Sequence, residues 1–241
     1  MTRDERPLRA VPGAVWLGLV VALSAQIAWR VMQAPVAPQA ADLPPPPNAQ
    51  ALRLASLGEP NAAARLMMLY LQAFDYSGSN ANSYGRLDYV RLIGWLQAIL
   101  ELDPRSEYPL FAAARVYAEN SDPARSRVAL EFVYRQFFAD PDHRWPWLAH
   151  AALLAKHRLQ DLALARRYAA AIDRHTKSSD VPLWAKQMEI FILEDMNELQ
   201  AARILLGGLL ESGAVRDPAE ARFLRQRLEE LERRLGSKGR P

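Results

Sequence analysis

The chain has 241 residues, of which 50% are hydrophobic and 24% charged, so it is long enough to bury one sizeable core. Its 30 Lys and Arg are interspersed with 27 Asp and Glu, which disfavours nucleic-acid binding because such proteins gather basic residues on one face. The absence of cysteine excludes disulfides, thiol catalysis and thiolate metal ligands.

The first predicted element is an apolar segment, residues 10–30, which follows a short basic tail, residues 1–9. The run from residue 10 to residue 29 carries no charged side chain. As a helix it would rise about 30 Å, which matches the hydrocarbon core of a bilayer. We therefore predict a transmembrane helix whose membrane contacts, with indoles at the two interfaces, are Trp16, Leu19, Val20, Leu23, Ile27 and Trp29.

Basic residues lie almost entirely on one side of this segment. Arg3, Arg6 and Arg9 precede it, whereas Arg30 is the one basic residue between the apolar run and Arg53. The positive-inside rule then predicts a single-pass signal anchor in a bacterial inner membrane. The N-terminal tail would be cytoplasmic and the remainder of the chain periplasmic.

A cleaved secretory signal peptide is the alternative for this segment. Residues 15–23 are apolar, and Ala22-Leu23-Ser24 has the small-x-small pattern of a cleavage site. The apolar run continues through Ile27 to Trp29 instead of turning polar at that site, which favours the anchor. Both interpretations place the following domain outside the cytoplasm, and they differ in whether it stays tethered.

Residues 31–48 form a proline-rich linker that contains Pro35, Pro38 and the run 44–47. Because proline fixes φ and lacks an N–H, residues 34–48 should form an extended, polyproline-like spacer reaching up to about 45 Å. We interpret it as a stalk that lifts the domain off the bilayer. A plain linker and a proline-rich ligand for another domain are the alternatives.

Residues 49–235 are predicted to form one all-α domain, followed by a flexible tail, residues 236–241. Apolar residues recur there at helical spacings, without sustained alternation, between Pro, Gly and Asp signals. On the third helix they predict a buried face of Leu92, Trp95, Leu96, Ile99 and Leu100, and on the last helix one of Leu224, Leu228, Leu231 and Leu235. The ten predicted helices begin near residues 49, 60, 86, 107, 123, 146, 160, 182, 197 and 218.

Residues 147–213 contain one structural unit twice. Trp147 recurs as Trp184, and residues 161–166 recur as residues 198–203, each 37 positions on. Phe111 occupies the equivalent place in the preceding unit. Alanines return in the helices that follow, and a large aromatic that faces small residues fills the gap between two close helices. This pattern predicts that Trp184 is buried between the helices.

Residues 86–213 resemble the tetratricopeptide-repeat superfamily. That repeat has a Trp early in its first helix, small residues at the helix contact and a Pro near the end of the second helix. Trp147 with Ala151, Ala163 and Ala170 has this spacing, although the period is 36 to 37 residues instead of 34. The resemblance implies a right-handed α-solenoid of antiparallel helix pairs whose concave face, lined by the first helices, binds peptides or proteins.

Candidate chemical sites are weak. His143, His150 and His157 are spaced by seven, and two helical turns separate such residues by about 10.5 Å, too far for one zinc ion with ligands within about 2.1 Å. The acidic cluster Glu189, Glu194, Asp195 and Glu198 lacks the Glu-x-x-His pairs of a di-metal bundle. No phosphate-loop or nucleophile-elbow motif occurs. We predict no catalytic, cofactor-binding or metal-binding residues and a protein that is not an enzyme.

Trp145-Pro146-Trp147 is the most suggestive sequence for binding. If Pro146 begins a helix, Trp145 is either an exposed anchor for a partner or a hydrophobic staple onto its own helix. The other predicted binding residues are polar positions on first helices: Arg115, His150, Lys186 and Gln187. The predicted function is a membrane-anchored scaffold or assembly factor that binds protein or peptide subunits of an envelope complex. The alternatives are a secreted, soluble periplasmic binding protein and a helical-array enzyme.

Overall fold

The computed structural model describes residues 12–32, 43–74 and 87–238. Within these ranges there is no β-strand, and the all-α prediction is confirmed. The described helices are α1 (Gly13–Met32), α2 (Ala49–Ala55), α3 (Pro60–Ala73), α4 (Tyr89–Leu102), α5 (Tyr108–Arg115), α6 (Pro123–Phe137), α7 (Pro141–His157), α8 (Leu162–His175), α9 (Leu183–Asp195), α10 (Leu199–Glu211) and α11 (Pro218–Lys238), with a 3-10 helix (Tyr117–Glu119) after α5.

Most side chains of helix α1 are apolar. Every side chain that the structure describes in it is exposed. The predicted membrane contacts range from 47% exposure for Trp16 to 69% for Trp29. In the described ranges, no helix combines the length and the apolar character needed to cross a membrane.

Helix boundaries follow short sequence signals. The carboxylate of Asp122 accepts a hydrogen bond from the Ala124 N–H at 2.9 Å, which satisfies one of the free donors at the start of α6. Asp88 and Asp161 cap α4 and α8 in the same way. Gly58, with φ of +89°, takes the left-handed conformation just after α2, where glycine is the least strained residue.

Helix α7 begins at Pro141, five residues before the predicted start at Pro146. Pro146 is the sixth residue of α7, so its missing N–H removes the hydrogen bond to the Asp142 carbonyl, a loss that weakens a helix. Arg144, only 6% exposed, holds this extra turn by donating to the Gln136 carbonyl at 2.6 Å and the Pro104 carbonyl at 2.7 Å. Trp145 therefore lies within α7, and its interpretation as a staple preceding the helix is wrong.

The helices pack consecutively around two apolar cores. The larger core runs from α2 to α9, and α5, α7 and α9 also contact one another in that order. The predicted buried face of α4 is confirmed, since all five of its residues are buried. The second core joins α9, α10 and α11. It consists of Ile190, Leu193, Leu199, Ala202, Leu206, Leu224 and Leu231.

Residues 43–48, which we call the proline strap, lie against α4. Leu43 is 1% exposed, and its carbonyl accepts a hydrogen bond from Nη1 of Arg91 at 2.7 Å. The Pro44 carbonyl accepts one from Nε1 of Trp95 at 2.9 Å. This part of the predicted free linker is therefore docked on the domain. Residues 33–42 of the linker lie outside the described residues.

Helix α11 covers the end of the array. Leu224 and Leu231 are buried, and Leu228 and Leu235 pack against the same core, which confirms the predicted apolar face. The helix continues to Lys238, so the predicted tail, residues 236–241, is helical in its first half. Residues 239–241 lie outside the described residues.

Candidate functional site

The aromatic residues at equivalent positions of the repeat do not lie in the core. Trp184 is 52% exposed and Phe111 37% exposed, and Trp147 is half-buried, so the prediction of a buried Trp184 is wrong. The helix contacts are made instead by alanines one or two positions later, Ala112, Ala149 and Ala185, which are at most 4% exposed. Small residues let the helices approach closely, and the rings are left at the rim.

These rings line a cavity of about 400 Å³ formed by α5, α7 and α9, which we call the aromatic groove. It remains open to solvent, because Leu153 and Trp184 are 43% and 52% exposed. Its wall is mostly apolar. The lining residues are Phe111, Arg115, Trp145, Pro146, Trp147, Ala149, His150, Leu153 and Trp184.

Two edge-to-face ring pairs connect the three helices. Phe111 of α5 contacts Trp147 of α7 with ring centroids 5.6 Å apart and an interplanar angle of 80°. Trp145 of α7 contacts Trp184 of α9 at 5.4 Å and 74°. Such geometry is favoured by the aromatic quadrupole, so each ring holds its partner in one orientation. The groove is therefore a preorganised aromatic wall.

Arg115 and His150 are the polar residues of this wall. Nη1 of Arg115 lies 3.4 Å from Nδ1 of His150, and since a guanidinium only donates, Nδ1 accepts and the ring proton is on Nε2. Burial lowers the pKa of His150, and the charge of Arg115 lowers it further, so the imidazole is neutral near pH 7. The lining contains no carboxylate. Arg115 therefore gives the groove its charge.

Two buried polar atoms of the groove residues lack a hydrogen-bond partner within the described part of the chain. They are Nε1 of Trp147 and Nε2 of His150. In the tautomer assigned above, both carry a proton and are donors. A buried donor without an acceptor costs about 1–3 kcal/mol, and functional sites are one place where proteins retain such groups.

The structure brings together three of the five predicted binding residues, Trp145, His150 and Arg115. Gln187 is only 4% exposed, and its Nε2 donates to Oε1 of Glu220 on α11 at 2.9 Å, so it fastens helices together. Lys186 lines a separate cavity of about 310 Å³ between α8, α9 and α10. Neither residue faces the aromatic groove.

The sequence did not indicate Phe111 and Trp184 as groove residues. Both residues occupy the position at which a tetratricopeptide-like repeat has its core aromatic residue, and the repeat pattern therefore predicted that they pack between the helices. That pattern took no account of the residue that follows each of them. Each is followed directly by an alanine, Ala112 or Ala185, that is at most 4% exposed. In a helix only one of two successive residues points straight at a given neighbour. The alanine packs against the neighbouring helix, and the aromatic ring beside it lines the groove.

The histidines and acidic residues that were considered and rejected as metal ligands from the sequence make separate contacts. His143 is exposed and contacts Asp140 at 2.9 Å, whereas His150 lines the groove. Glu189 pairs with Arg166 at 3.1 Å, and Glu194 pairs with Arg227, so these carboxylates connect helices. Among the described residues, no group of three or more His, Asp or Glu side chains is arranged to hold a metal ion.

Comparison with protein-family models, curated proteins and solved structures gives no match to this chain. The geometry of the aromatic groove is therefore the main guide to function.

Proposed function

We propose that this protein is a non-enzymatic scaffold or assembly factor of a bacterial envelope complex, and that it binds a segment of a partner protein in the aromatic groove. One observation carries the proposal: aromatic side chains from three helices line an open, mostly apolar cavity. Exposed indoles in a shaped pocket are the side chains that most often dominate binding energy at protein interfaces.

The form of the groove favours a protein segment as its occupant. The cavity crosses α5, α7 and α9, and Phe111, Leu153 and Trp184 leave it open along its length. Small-molecule sites usually enclose most of the ligand surface. An extended or helical peptide, by contrast, can place successive side chains between the rings of neighbouring helices.

The packing of the helices supports a tetratricopeptide-like solenoid as the scaffold. Each of α5, α7 and α9 pairs with the helix that follows it, and the three contact one another in order. Repetition of this arrangement gives a superhelix with the first helices on its inner face. The aromatic groove would then occupy the concave surface.

We further propose that residues 10–30 anchor the domain in the inner membrane, with the domain in the periplasm. The uncharged run from residue 10 to residue 29 and the exposed apolar surface of α1 support this placement. Carbonate extraction of membranes should leave the full chain in the pellet. A mature chain that begins near Ala25 by intact mass would instead indicate a cleaved signal peptide and a soluble periplasmic protein.

The orientation has its own test. Alkaline phosphatase fused after Lys238 should be active, because the enzyme folds only outside the cytoplasm. A green fluorescent fusion at the same position should be dark after export through the general secretory route. The opposite pair of results would place the domain in the cytoplasm and change the compartment of the partner.

Binding in the groove is tested by photo-crosslinking in cells. A photoreactive residue in place of Leu153 should give one or more discrete adducts with a partner protein. The adducts should disappear in the Trp145→Ala/Trp184→Ala double variant. Phe223→Ala is the matched control, because Phe223 is also 52% exposed but lies on α11, away from the groove. Adducts that persist in the double variant would reject the groove as the binding site.

A further inference from the structure

Among the described residues that line the aromatic groove, Arg115 is the one that carries a permanent charge. Some arginines of the array pair with carboxylates, such as Arg127 with Asp161 at 2.7 Å, whereas others, such as Arg144 and Arg158, donate to backbone carbonyls. Within the described part of the chain, Arg115 forms no ion pair, and its guanidinium contacts the neutral imidazole of His150. Glu119, four residues on, is not paired with Arg115, although its negative charge acts on His150 and opposes the lowering of the His150 pKa.

Arg115 places its charge beside apolar surface. Phe111, Trp147 and Leu153 line the same cavity, so a ligand that covers them would also shield its own contact with Arg115 from water. A guanidinium is weakly hydrated, and its planar fork matches the two oxygens of a carboxylate. The same charge opposes binding of a basic segment.

The remaining free polar groups of the groove residues have the same hydrogen-bonding character. Trp147 Nε1 and His150 Nε2 are donors without acceptors in the described structure. Arg115 is likewise only a donor. The two ring N–H groups have almost no solvent-accessible surface, so Arg115 is the donor of the groove that an acceptor on a ligand can reach without movement of the rings.

We infer that the segment bound in the aromatic groove is acidic and apolar, with a carboxylate that pairs with Arg115 between side chains that pack on the rings. The inference rests on the proposed function and specifies the chemistry of the partner. An anionic membrane surface fits less well, because recognition of lipid headgroups requires clusters of basic residues, and the groove lining has one.

The test is a selection of random peptides displayed on phage against the full chain in detergent micelles. Peptides of about 12 residues are long enough to cross the three helices when extended. Binders that distinguish the wild-type chain from the Trp145→Ala/Trp184→Ala variant should be enriched in Asp or Glu flanked by apolar residues. In Arg115→Glu, the enrichment should change to Lys or Arg.

A double-mutant cycle on the best selected peptide then assigns the contact. Arg115→Ala should weaken binding about 10-fold or more, the usual effect of losing a hydrogen bond to a charged group. Replacing the peptide carboxylate by its amide should weaken binding similarly. When both changes are made together, the loss of peptide affinity should be little larger than the loss caused by either change alone. Arg233→Ala, an exposed arginine on α11, is the control and should leave the affinity unchanged.

The outcomes separate the inference from the proposed function. Groove-dependent peptides that are neutral or basic would overturn the inference and leave groove binding intact. Failure to select any peptide that distinguishes wild type from the double variant would overturn both. Loss of peptide binding in nanodiscs containing phosphatidylglycerol, but not in phosphatidylcholine alone, would assign Arg115 to a lipid headgroup and also overturn the inference.

Discussion

At the scale of single residues, small side chains at the helix contacts determine which large side chains lie in the groove. Ala149 and Ala185 make the helix contacts beside Trp147 and Trp184, and both alanines are at most 2% exposed. The indoles are consequently free to form a binding surface. Bulk and spacing in the sequence suggest core residues, whereas the packed structure assigns these aromatic side chains to the groove.

Trp184→Ala should therefore change stability little. A side chain that is 52% exposed and rests on one other ring loses limited contact when truncated, so the expected cost is about 1 kcal/mol or less. Leu193→Ala, at 0% exposure on the same helix, should cost about 2–5 kcal/mol. Urea unfolding followed by circular dichroism measures both. A cost for Trp184→Ala equal to that of Leu193→Ala would mean that the indole is part of the core.

Two of the three histidines of α7, His143 and His150, should have pKa values on opposite sides of the ordinary value of 6.5. The hydrogen bond that the His143 ring donates to the Asp140 carboxylate raises the pKa of His143, whereas burial lowers that of His150. Neutral His150 thus contributes stability at pH values above 6.5, and this contribution is lost as the pH falls below that value. His143 contributes stability at low pH that is lost as the pH rises through its raised pKa.

NMR titration of the imidazole Cε1–H signals, assigned with His143→Gln and His150→Gln, measures both pKa values in one sample. The order is the result that matters: His143 should titrate at the higher pH. A higher pKa for His150 would mean that its ring is hydrated and that Arg115 is farther away than 3.4 Å.

The sequence identified part of this site. Arg115 and His150 were predicted as binding residues because they are polar positions on first helices, and Trp145 because it is an aromatic residue beside Pro146, and all three line the groove. Gln187 had the same polarity, yet it is buried because α11 supplies a hydrogen-bond partner in Glu220. A helix-to-helix contact 33 residues away along the chain is not encoded in any local pattern. Polarity alone therefore cannot distinguish a binding residue from a buried residue that joins two helices by a hydrogen bond.

At the scale of elements, local sequence signals predicted most helix ends. They did not predict that the proline strap docks on α4. Asp122 with Pro123 begins α6 as expected, because cap and proline act within one turn. The strap, by contrast, depends on Arg91, Trp95 and a close approach to Gly94 on α4, about 50 residues further along the chain. Proline content predicted its extended form but not its docking.

Gly94→Ala should release the strap. A Cβ at residue 94 would lie 2.7 Å from Cγ of Pro46, and a proline ring cannot move aside without moving its backbone. Thermolysin should then cleave the strap faster than in wild type, as mass spectrometry of the fragments would show. Trp95→Phe, which removes the donor to the Pro44 carbonyl, should act in the same direction.

Gly207→Ala is the matched control for this change. Gly207 also lies inside a helix, but a Cβ there meets open space, so alanine should stabilise the protein by about 0.5–1 kcal/mol through helix propensity. The strap should remain protected in that variant. If Gly94→Ala raises the melting temperature as Gly207→Ala does and leaves cleavage unchanged, the strap is not docked on α4.

At the scale of the whole molecule, the array ends where α11 closes the second core. The predicted amphipathic pattern of α11 is confirmed, and its docking also uses polar contacts that the sequence did not indicate. Glu194 of α9 is buried, and Nε of Arg227 on α11 donates to its Oε1 at 3.1 Å. Without this partner the carboxylate would remain buried and unpaired, which is costly.

Arg227→Ala should therefore loosen α11 from α9. Arg227 is 33% exposed, so solvent screens part of the interaction, and the expected loss of stability is about 1–3 kcal/mol. Arg225→Ala, on an exposed position of the same helix, should change stability by less than about 0.5 kcal/mol. Hydrogen exchange gives the sharper measurement, since faster exchange should be concentrated in α11. Uniform exchange along the chain would show that α11 unfolds only together with the larger core, and that the two cores form one cooperative unit.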